Sequence, residues 1–266
     1  MQTVLRLATG AGIVLATFSP PVASAQDATV QEPCETGRNC IVRELGFRPE
    51  GTIRVDAGPV GGIVVSAWDR DSVHVRAGIE GLAPDPDRAL GIARAVRVEA
   101  AADGIRVQGP ETPVDGAWVA TLVVYVPRRS DLALTARVGP ISVDGVSGRM
   151  NLETQAGPLT LTAVGGDVRA FTHAGPVHVV LAGSRWEGGG LNAETRNGSV
   201  ALYVPRTYSA QLEAGTPNGR PLTVQPPATL QGNAVWIQAR LGDGGAPVRV
   251  VTAVGSTMVN WISGSR

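Results

Sequence analysis

Two glutamates, Glu153 and Glu194, occupy equivalent positions in a repeated sequence pattern, with Arg137 and Arg196 in a neighbouring register. Carboxylates and arginines on one stacked face are groups with which repetitive β proteins often act on polysaccharides. One repeat unit separates the glutamates, so at about 4.8 Å per stacked strand they would lie roughly 10 Å apart. Inverting glycosidases need about 6.5–9.5 Å between their carboxyl groups. The spacing therefore favours a non-enzymatic protein, and no catalytic residue is predicted.

Two histidines could in principle hold a metal ion. His173 and His178 flank Gly175 and Pro176, and the strand pattern points both outward. If the two strands pair across that turn, the rings could meet and bind zinc or copper. No carboxylate or cysteine stands at an obvious third position, so the sequence predicts two solvated surface histidines and no metal site.

Two pairs of aspartates alternate like the first ligands of a calcium loop, Asp69 with Asp71 and Asp85 with Asp87. The remaining ligands of such a loop are missing, so these residues are predicted to serve turns and caps. The triplet 197–199 has the form of a glycosylation sequon. A turn that the repeat requires at this point explains it equally well.

Other enzyme motifs are incomplete. All 23 basic residues are arginines, which excludes Schiff-base and Walker-lysine chemistry. The segment 145–149 lacks the last glycine of a nucleophile elbow, and the glycine run 242–245 does not complete a dinucleotide fingerprint. The formal net charge is zero and no basic patch stands out, so nucleic acid is not predicted as a partner. No cofactor is predicted.

Five tryptophans offer rings on which sugars can stack. Trp186 is the strongest candidate, because it lies in a glycine-rich insertion between two repeat units. The other four lie in or beside predicted strands and are also explained as core or cap residues: Trp68, Trp118, Trp236 and Trp261.

The secondary structure that carries these residues is predicted from composition and repeat spacing. The chain has 266 residues, of which 43% are hydrophobic. Its 34 glycines and 19 prolines are typical of short strands joined by tight turns. From about residue 131, a glycine followed by a small or cyclic residue and then an apolar residue recurs. These anchor glycines are Gly139, Gly157 and Gly175, spaced by eighteen residues, and then Gly198 after twenty-three.

Each unit is predicted to contain two strands whose inward positions change parity at the anchor glycine, so the chain must bend there. The inward positions after the glycine are Ile141 and Val143, Leu159 and Leu161, Val177 and Val179, and Val200 and Leu202. The inward positions before the glycine are Leu134, Ala136 and Val138, then Leu152, Thr154 and Ala156, then Ala170, Thr172 and Ala174, then Ala193, Thr195 and Asn197. Equivalent outward residues are predicted to stack as ladders.

No single unit can bury its own apolar face, so the pattern predicts an all-β protein in which the units stack. The favoured fold is a β-solenoid, single-stranded and β-helix-like, of about 18-residue repeats. The alternative is a β-meander or sandwich in which each unit is a hairpin with the Gly-Pro pair as its turn. One short helix is predicted near 85–96, with Asp85 as N-cap, Pro86 first, and Leu90, Ala93 and Ala95 as its apolar positions.

The N-terminus has the form of a cleaved secretory signal. Arg6, an apolar run from Leu7 to Phe18 and small residues at 23–25 make up its three parts. Because this run is too short to cross a bilayer, the mature chain is predicted to be periplasmic or secreted, with no transmembrane segment. Cys34 and Cys40, the only cysteines, are predicted to form a disulfide in that oxidising compartment. A redox or metal pair would be expected to show Cys-x-x-Cys spacing.

The predicted organisation is a signal peptide at 1–25, an N-terminal segment with a disulfide loop at 26–50, and a β-strand-repeat domain at 51–266. Several motifs resemble the bacterial putative-adhesin family of β-strand-repeat proteins, a domain of unknown function. They are the segments 62–69, 125–127, 202–205 and 242–245, together with the successive Gly-Pro-apolar units. The resemblance covers roughly residues 50–262. It implies an exported, largely solenoidal β protein and brings no catalytic residues.

These observations predict an exported, non-enzymatic envelope protein. Its outward side chains would bind a cell-surface polysaccharide or an envelope protein, as an adhesin does. Two alternatives stay open: a polysaccharide-active enzyme on the same β scaffold, and a periplasmic partner of an envelope-stress or secretion system.

Overall fold

The computed structural model describes residues 34, 39–111, 116–218, 223–224, 232–233 and 235–263. These residues are mostly β-strand, with a single helix among them. The predicted signal segment at 1–25 and most of the following segment to residue 38 lie outside the described residues. No helix in the described part of the chain has the length and apolarity needed to cross a membrane.

The strands form two mixed sheets and are numbered in chain order. The first sheet contains ten strands, in the spatial order β1 (Cys40–Phe47), β4 (Val73–Leu82), β7 (Ala117–Pro127), β3 (Gly61–Trp68), β9 (Ile141–Asp144), β11 (Leu159–Thr162), β13 (Val177–Val180), β15 (Val200–Pro205), β21 (Thr257–Ile262) and β17 (Thr223–Val224). The second sheet contains eleven, in the order β18 (Gly232–Asn233), β19 (Trp236–Leu241), β16 (Ala210–Gly215), β20 (Pro247–Val254), β14 (Gly190–Asn197), β12 (Gly165–Ala174), β10 (Ser147–Ala156), β8 (Leu132–Val138), β2 (Ile53–Asp56), β6 (Gly104–Gln108) and β5 (Arg97–Ala101).

Successive strands from β8 to β15 alternate between the two sheets, and each of β8 to β13 pairs in parallel with the strand two places later. Leu134 lies opposite Leu152, and Ile141 lies opposite Leu159, an offset of eighteen residues in both sheets. The offset becomes twenty-three where Val177 pairs with Val200. The predicted repeat spacing is therefore confirmed as strand register.

The two strands of one unit lie in different sheets, so the predicted hairpin with a Gly-Pro turn is wrong for these units. The sandwich form of that alternative fits the coarse architecture, because the inner faces of both sheets contribute to one apolar cluster. Two parallel strands that are neighbours in one sheet need a crossover connection between them. Here the intervening strand of the other sheet is part of that connection.

The predicted inward positions after each anchor glycine are confirmed. They are almost fully buried: Ile141, Val143, Leu159, Leu161, Val177, Val179, Val200 and Leu202. Before the glycine, the first two inward positions of each unit are also buried. The third is wrong: Val138 is 46% exposed, Ala156 is half-buried, and Ala174 and Asn197 are exposed. These residues end their strands and are still paired in the second sheet, but their side chains no longer face the core.

Close contact between neighbouring units occurs at the anchor glycines. A Cβ on Gly157 would lie 2.0 Å from the carbonyl oxygen of Gly139, and one on Gly175 would lie 2.2 Å from that of Gly157. The buried hydroxyl of Thr154 donates to the Gly139 oxygen at 3.1 Å, and that of Thr172 donates to the Gly157 oxygen at 3.0 Å. These threonines interrupt the apolar pattern because each forms a hydrogen bond to the backbone at the bend.

The predicted helix is confirmed as α1 (Pro86–Ala95). The side chain of Asp85 accepts a hydrogen bond from the backbone N–H of Arg88 at 3.1 Å, so this residue is the predicted N-cap. The buried face differs in detail from the prediction: Ala89, Ile92 and Ala93 are buried, whereas Ala95 is exposed.

Cys34 and Cys40 form a disulfide, with their Cα atoms 5.7 Å apart. Cys40 is also the first residue of β1, which pairs antiparallel with β4 along its whole length. The first sheet therefore begins upstream of residue 51, where the repeat motif starts.

The disulfide closes so short a loop that it removes little entropy from the unfolded chain. We expect it to contribute about 2 kcal/mol or less to the free energy of unfolding. Thiol titration of the unfolded, unreduced chain should detect no reactive cysteine. The Cys34→Ser and Cys40→Ser double variant should then show only a small drop in its denaturation midpoint.

The facing of β11 can be tested with two neighbouring residues. Leu161→Ala should lower the free energy of unfolding by about 2–5 kcal/mol, because it removes buried methyl groups and leaves a cavity. Thr160→Ala, on the outward side, should cost under about 0.5 kcal/mol. Urea midpoints give both values, and equal losses would contradict the register described above.

Candidate functional site

The outward side of β8, β10, β12, β14 and β20 forms a surface that we call the ladder face. Parallel pairing in constant register aligns equivalent side chains across these strands. One row contains Thr135, Glu153, Phe171, Glu194 and Val251. A second row contains Ala133, Asn151, Arg169, Asn192 and Arg249. The predicted ladder is confirmed for Glu153 and Glu194, which lie on this face with one strand between them.

Arg249 organises one end of the ladder face. Its Nη1 donates to Asn192 Oδ1 at 2.8 Å and to a carboxylate oxygen of Glu194. Its Nε lies 3.7 Å from Glu213 Oε1, on the neighbouring strand β16. All three charged side chains are about one-third exposed, so a single guanidinium lies between two partly screened carboxylates.

Arg249 was missed by the sequence analysis. It lies downstream of the four anchored units, and only the pairing of β20 with β14 brings it beside Glu194. Its outward position in an alternating strand was the available signal. That signal identifies the face but gives no partner.

His173 and His178 do not meet across the Gly-Pro turn. His173 lies on β12 in the second sheet and His178 on β13 in the first, so their strands do not pair. The Nε2 of His173 lies 3.7 Å from Glu153 Oε1, and its ring packs edge-on against Phe171 at 4.7 Å between centroids. His173 therefore belongs to the ladder face. Among the residues that the structure describes, no three His, Cys, Asp or Glu side chains are grouped so as to hold a metal ion.

Shallow depressions extend the ladder face onto the neighbouring strands of the second sheet. A cavity of about 760 Å³ is lined by polar side chains that include Asp56, Gln108, Arg137, Glu153 and Gln155. A second cavity of about 310 Å³ adjoins it, and both are lined by Asp56 and Thr135. A third, of about 390 Å³, lies at the Arg249 end beside Glu213. Donors and acceptors thus line the face from β5 to β19.

Of the two predicted arginines, Arg137 on β8 lines the depression of about 760 Å³, and Arg196 is exposed on β14, with β10 and β12 between the two strands. The turn prediction for the triplet 197–199 agrees with its place between β14 and β15.

Trp186 is not a surface ring, and the prediction made for it is wrong. Only 5% of the residue is exposed, and its Nε1–H donates to the carbonyl of Gly166 at 2.9 Å. The insertion folds back so that the indole covers the core at the edge of the units. Trp118 is likewise 5% exposed and donates to the carbonyl of Pro110 at 3.1 Å. The partly exposed tryptophans are Trp68, Trp236 and Trp261.

No protein-family model matches this chain, and no curated protein matches it either. Several solved structures resemble it at low identity, among them the three that follow. A "putative cell adhesion protein" from Clostridium sporogenes is 11% identical with a TM-score of 0.43, and the match covers 84% of this chain and 100% of that one. A "putative adhesin" from Bacteroides fragilis is 10% identical with a TM-score of 0.35, covering 85% of this chain and 98% of that one. A "putative lipid binding protein" from Parabacteroides distasonis is 10% identical with a TM-score of 0.29, covering 83% of this chain and 97% of that one.

Two of these three neighbours carry the adhesin description that the sequence motifs predicted. All three TM-scores lie below 0.5, so we transfer no function from these proteins.

The Arg249 cluster predicts a charge-dependent loss of stability. Arg249→Gln leaves the carboxylates of Glu194 and Glu213 near each other without the cation, so we expect the free energy of unfolding at pH 7 to fall by about 0.5–1 kcal/mol. Adding Glu194→Gln to the same chain should recover part of that loss. Urea midpoints of the single and double variants measure the effect, and a further fall in the double variant would contradict the arrangement.

Proposed function

We propose that this chain is an exported, non-enzymatic envelope protein that binds a surface polymer through the ladder face, in the manner of an adhesin. The observation that carries the proposal is the in-register alignment of Glu153, Phe171 and Glu194 on neighbouring parallel strands. A repeating ligand fits such a surface, because parallel strands present their side chains at a constant spacing of about 4.8 Å.

The side chains of the ladder face support a polysaccharide over an apolar partner. The ladder face contains arginine, carboxylate and amide groups beside the ring of Phe171. Sugars combine hydroxyl groups with apolar C–H faces, so they can contact both the polar groups and the ring. The depressions on this face are lined by the same polar groups, including Arg137 and Gln155. An envelope protein stays the second partner class, to be separated by experiment.

The position of the carboxylates supports a binding role over hydrolysis. Glu153 and Glu194 are two strand spacings apart, roughly 10 Å, which exceeds the distance that inverting glycosidases use. Glu194 is also engaged by Arg249, and Phe171 lies between the two carboxylates. Glu153 and Glu194 are therefore not arranged as a catalytic pair that holds a water molecule and a glycosidic bond between its two carboxylates.

We also infer that the repeat region is a β-solenoid with two strands per unit. Strand alternation between the sheets, parallel pairing and the constant offset support it. Chain entry at β1 and the antiparallel pairs of β4 and β16 would then cap the stack at its two ends.

Export is the compartment that we propose, in the periplasm or outside the cell, after removal of residues 1–25. The Cys34–Cys40 disulfide supports it, because such bonds persist in oxidising compartments. The domain organisation proposed from the sequence is kept, with 26–50 as the N-terminal segment and 51–266 as the repeat domain.

Polymer retention tests the role of the ladder face. The full chain should be retained by envelope polysaccharide immobilised on a solid support, and Arg137→Glu with Arg196→Glu should weaken retention at least about tenfold, a loss of about 1.4 kcal/mol. Arg206→Glu, an exposed arginine in the turn after β15, is the matched control and should bind like the parent chain.

The same incubation separates binding from catalysis. Release of reducing ends or unsaturated sugars from envelope or plant glycans would contradict the non-enzymatic proposal and favour a polysaccharide-active enzyme. Retention by an envelope protein after the glycans have been removed would assign the face to a protein partner.

A further inference from the structure

Three partly exposed aromatic rings meet on the outward side of the first sheet, away from the ladder face. Trp68 ends β3, His74 lies near the start of β4, and Tyr125 lies in β7. The ring centroids of Trp68 and Tyr125 are 5.7 Å apart, those of Trp68 and His74 are 6.1 Å apart, and those of His74 and Tyr125 are 6.2 Å apart. We call this group the aromatic patch.

The three rings do not form a column. Each pair of ring planes is within 30° of parallel, and the three centroid distances are nearly equal. A column would place its outer two rings about twice as far apart as its neighbours. The three centroids therefore form a compact triangle of similarly oriented, mutually stacked rings.

The patch is held in place by bonds outside the rings. The Nε1–H of Trp68 donates to the carbonyl of Ser72 at 2.7 Å, across the turn between β3 and β4. The carboxylate of Asp69 in that turn accepts from Arg128 at 2.6 and 3.4 Å, which joins the turn to the end of β7. This hydrogen bond and the charge of Arg128 lower the pKa of Asp69 below its ordinary value. A binding surface fixed before the ligand arrives loses less entropy on binding.

Hydrogen-bonding groups surround the rings. The guanidinium of Arg70 lies over the Trp68 ring at 4.8 Å, and this side chain is exposed. Ser66 lies between Tyr125 and Asp144 in the strand register, and Asp144 is exposed. Both donors and carboxylate acceptors are thus available within one strand of the rings.

Placing these residues at one exposed point is unusual for this chain. It has only five tryptophans and three tyrosines, and two of those eight residues are in the patch. Trp118 and Trp186 are buried with their N–H groups bonded to backbone carbonyls, as core tryptophans are expected to be. Cross-strand aromatic pairs alone stabilise a sheet. They do not require a rim of exposed charged groups of both signs.

We propose that the aromatic patch is a carbohydrate-binding site, separate from the ladder face, that takes β-1,4-linked pyranose chains. In such chains the substituents are largely equatorial, so each sugar ring presents flat C–H faces that can lie on the aromatic rings. The sugar takes the place of the Arg70 guanidinium over the Trp68 ring, and the hydroxyl groups at the sugar edges then meet Arg70, Asp69 and Asp144. A chain that curves, as an α-1,4-linked glucan does, cannot keep successive rings on the patch.

Calorimetric titration of the full chain with cellohexaose, chitohexaose and maltohexaose tests this site. We expect saturable binding of at least one of the two β-1,4-linked probes and none of maltohexaose. Trp68→Ala and Tyr125→Ala should each weaken that binding about tenfold, equivalent to about 1.4 kcal/mol. Tyr125→Phe keeps the ring and should bind within about twofold of the parent, a difference of about 0.4 kcal/mol.

The unfolding midpoint of every variant is measured in parallel, so that loss of folding is not read as loss of binding. If Trp68→Ala does not fold, the comparison of Tyr125→Ala with Tyr125→Phe still decides the result. Absence of binding by both β-1,4-linked probes, or unchanged binding in folded Trp68→Ala and Tyr125→Ala variants, would overturn the proposal.

This result is distinguishable from the test of the ladder face. Arg137→Glu with Arg196→Glu should leave hexasaccharide affinity unchanged, because neither arginine lies on the first sheet. Loss of hexasaccharide binding in that variant, with Trp68→Ala unaffected, would overturn the aromatic patch and support the ladder face. Loss of polymer retention in Trp68→Ala, with retention unchanged in the Arg137→Glu and Arg196→Glu variant, would contradict the ladder face and support the aromatic patch.

Discussion

The close approach of backbones at the anchor glycines is the constraint on which the rest of the structure depends. An added Cβ at Gly157, Gly175 or Gly198 would lie 2.0–2.2 Å from the carbonyl oxygen of the preceding anchor glycine, and one at Gly139 would lie 2.0 Å from that of Gly61. Gly255, in the bend between β20 and β21, makes the same contact with Gly198 at 1.9 Å. Any side chain there would push adjacent units apart and break the parallel pairing on both sides of the bend. The same carbonyls, from Gly139 to Gly198, accept hydrogen bonds from the buried threonines of the next unit. One position thus sets both the distance between units and their register.

The strand register in turn determines which side chains stabilise the interior and which face the solvent. Inside, positions such as Leu159 and Leu161 stack on equivalent aliphatic residues and supply the apolar burial. Outside, the same pairing aligns side chains that need not stabilise the fold, so they can differ from unit to unit. Glu153, Phe171 and Glu194 are equivalent in position and different in chemistry. A surface built this way presents several groups at fixed spacing on a scaffold that does not depend on them.

The sequence predicts those parts of the structure that depend on local spacing. The eighteen-residue period and the facing of Leu159 follow from alternation, and the cap at Asp85 follows from three adjacent residues. Contacts between distant segments do not. The sequence places Trp186 in a glycine-rich stretch and predicts an exposed ring, but the ring is buried because that stretch folds back on Gly166. Arg249 meets Glu194, and Trp68 meets Tyr125, only through strand pairings that no local pattern specifies.

The eighteen-residue offset between paired strands from β8 to β13 also fixes the length of this part of the molecule in equal steps. Every eighteen-residue unit adds one strand to each sheet, and so lengthens the protein by one interstrand spacing of about 4.8 Å. Duplication or loss of a unit between β8 and β13 would change the distance between the two ends in equal steps, with the bends and the core composition unchanged. If the ladder face binds a polymer as proposed, the number of units in the chain sets the length of polymer that it contacts.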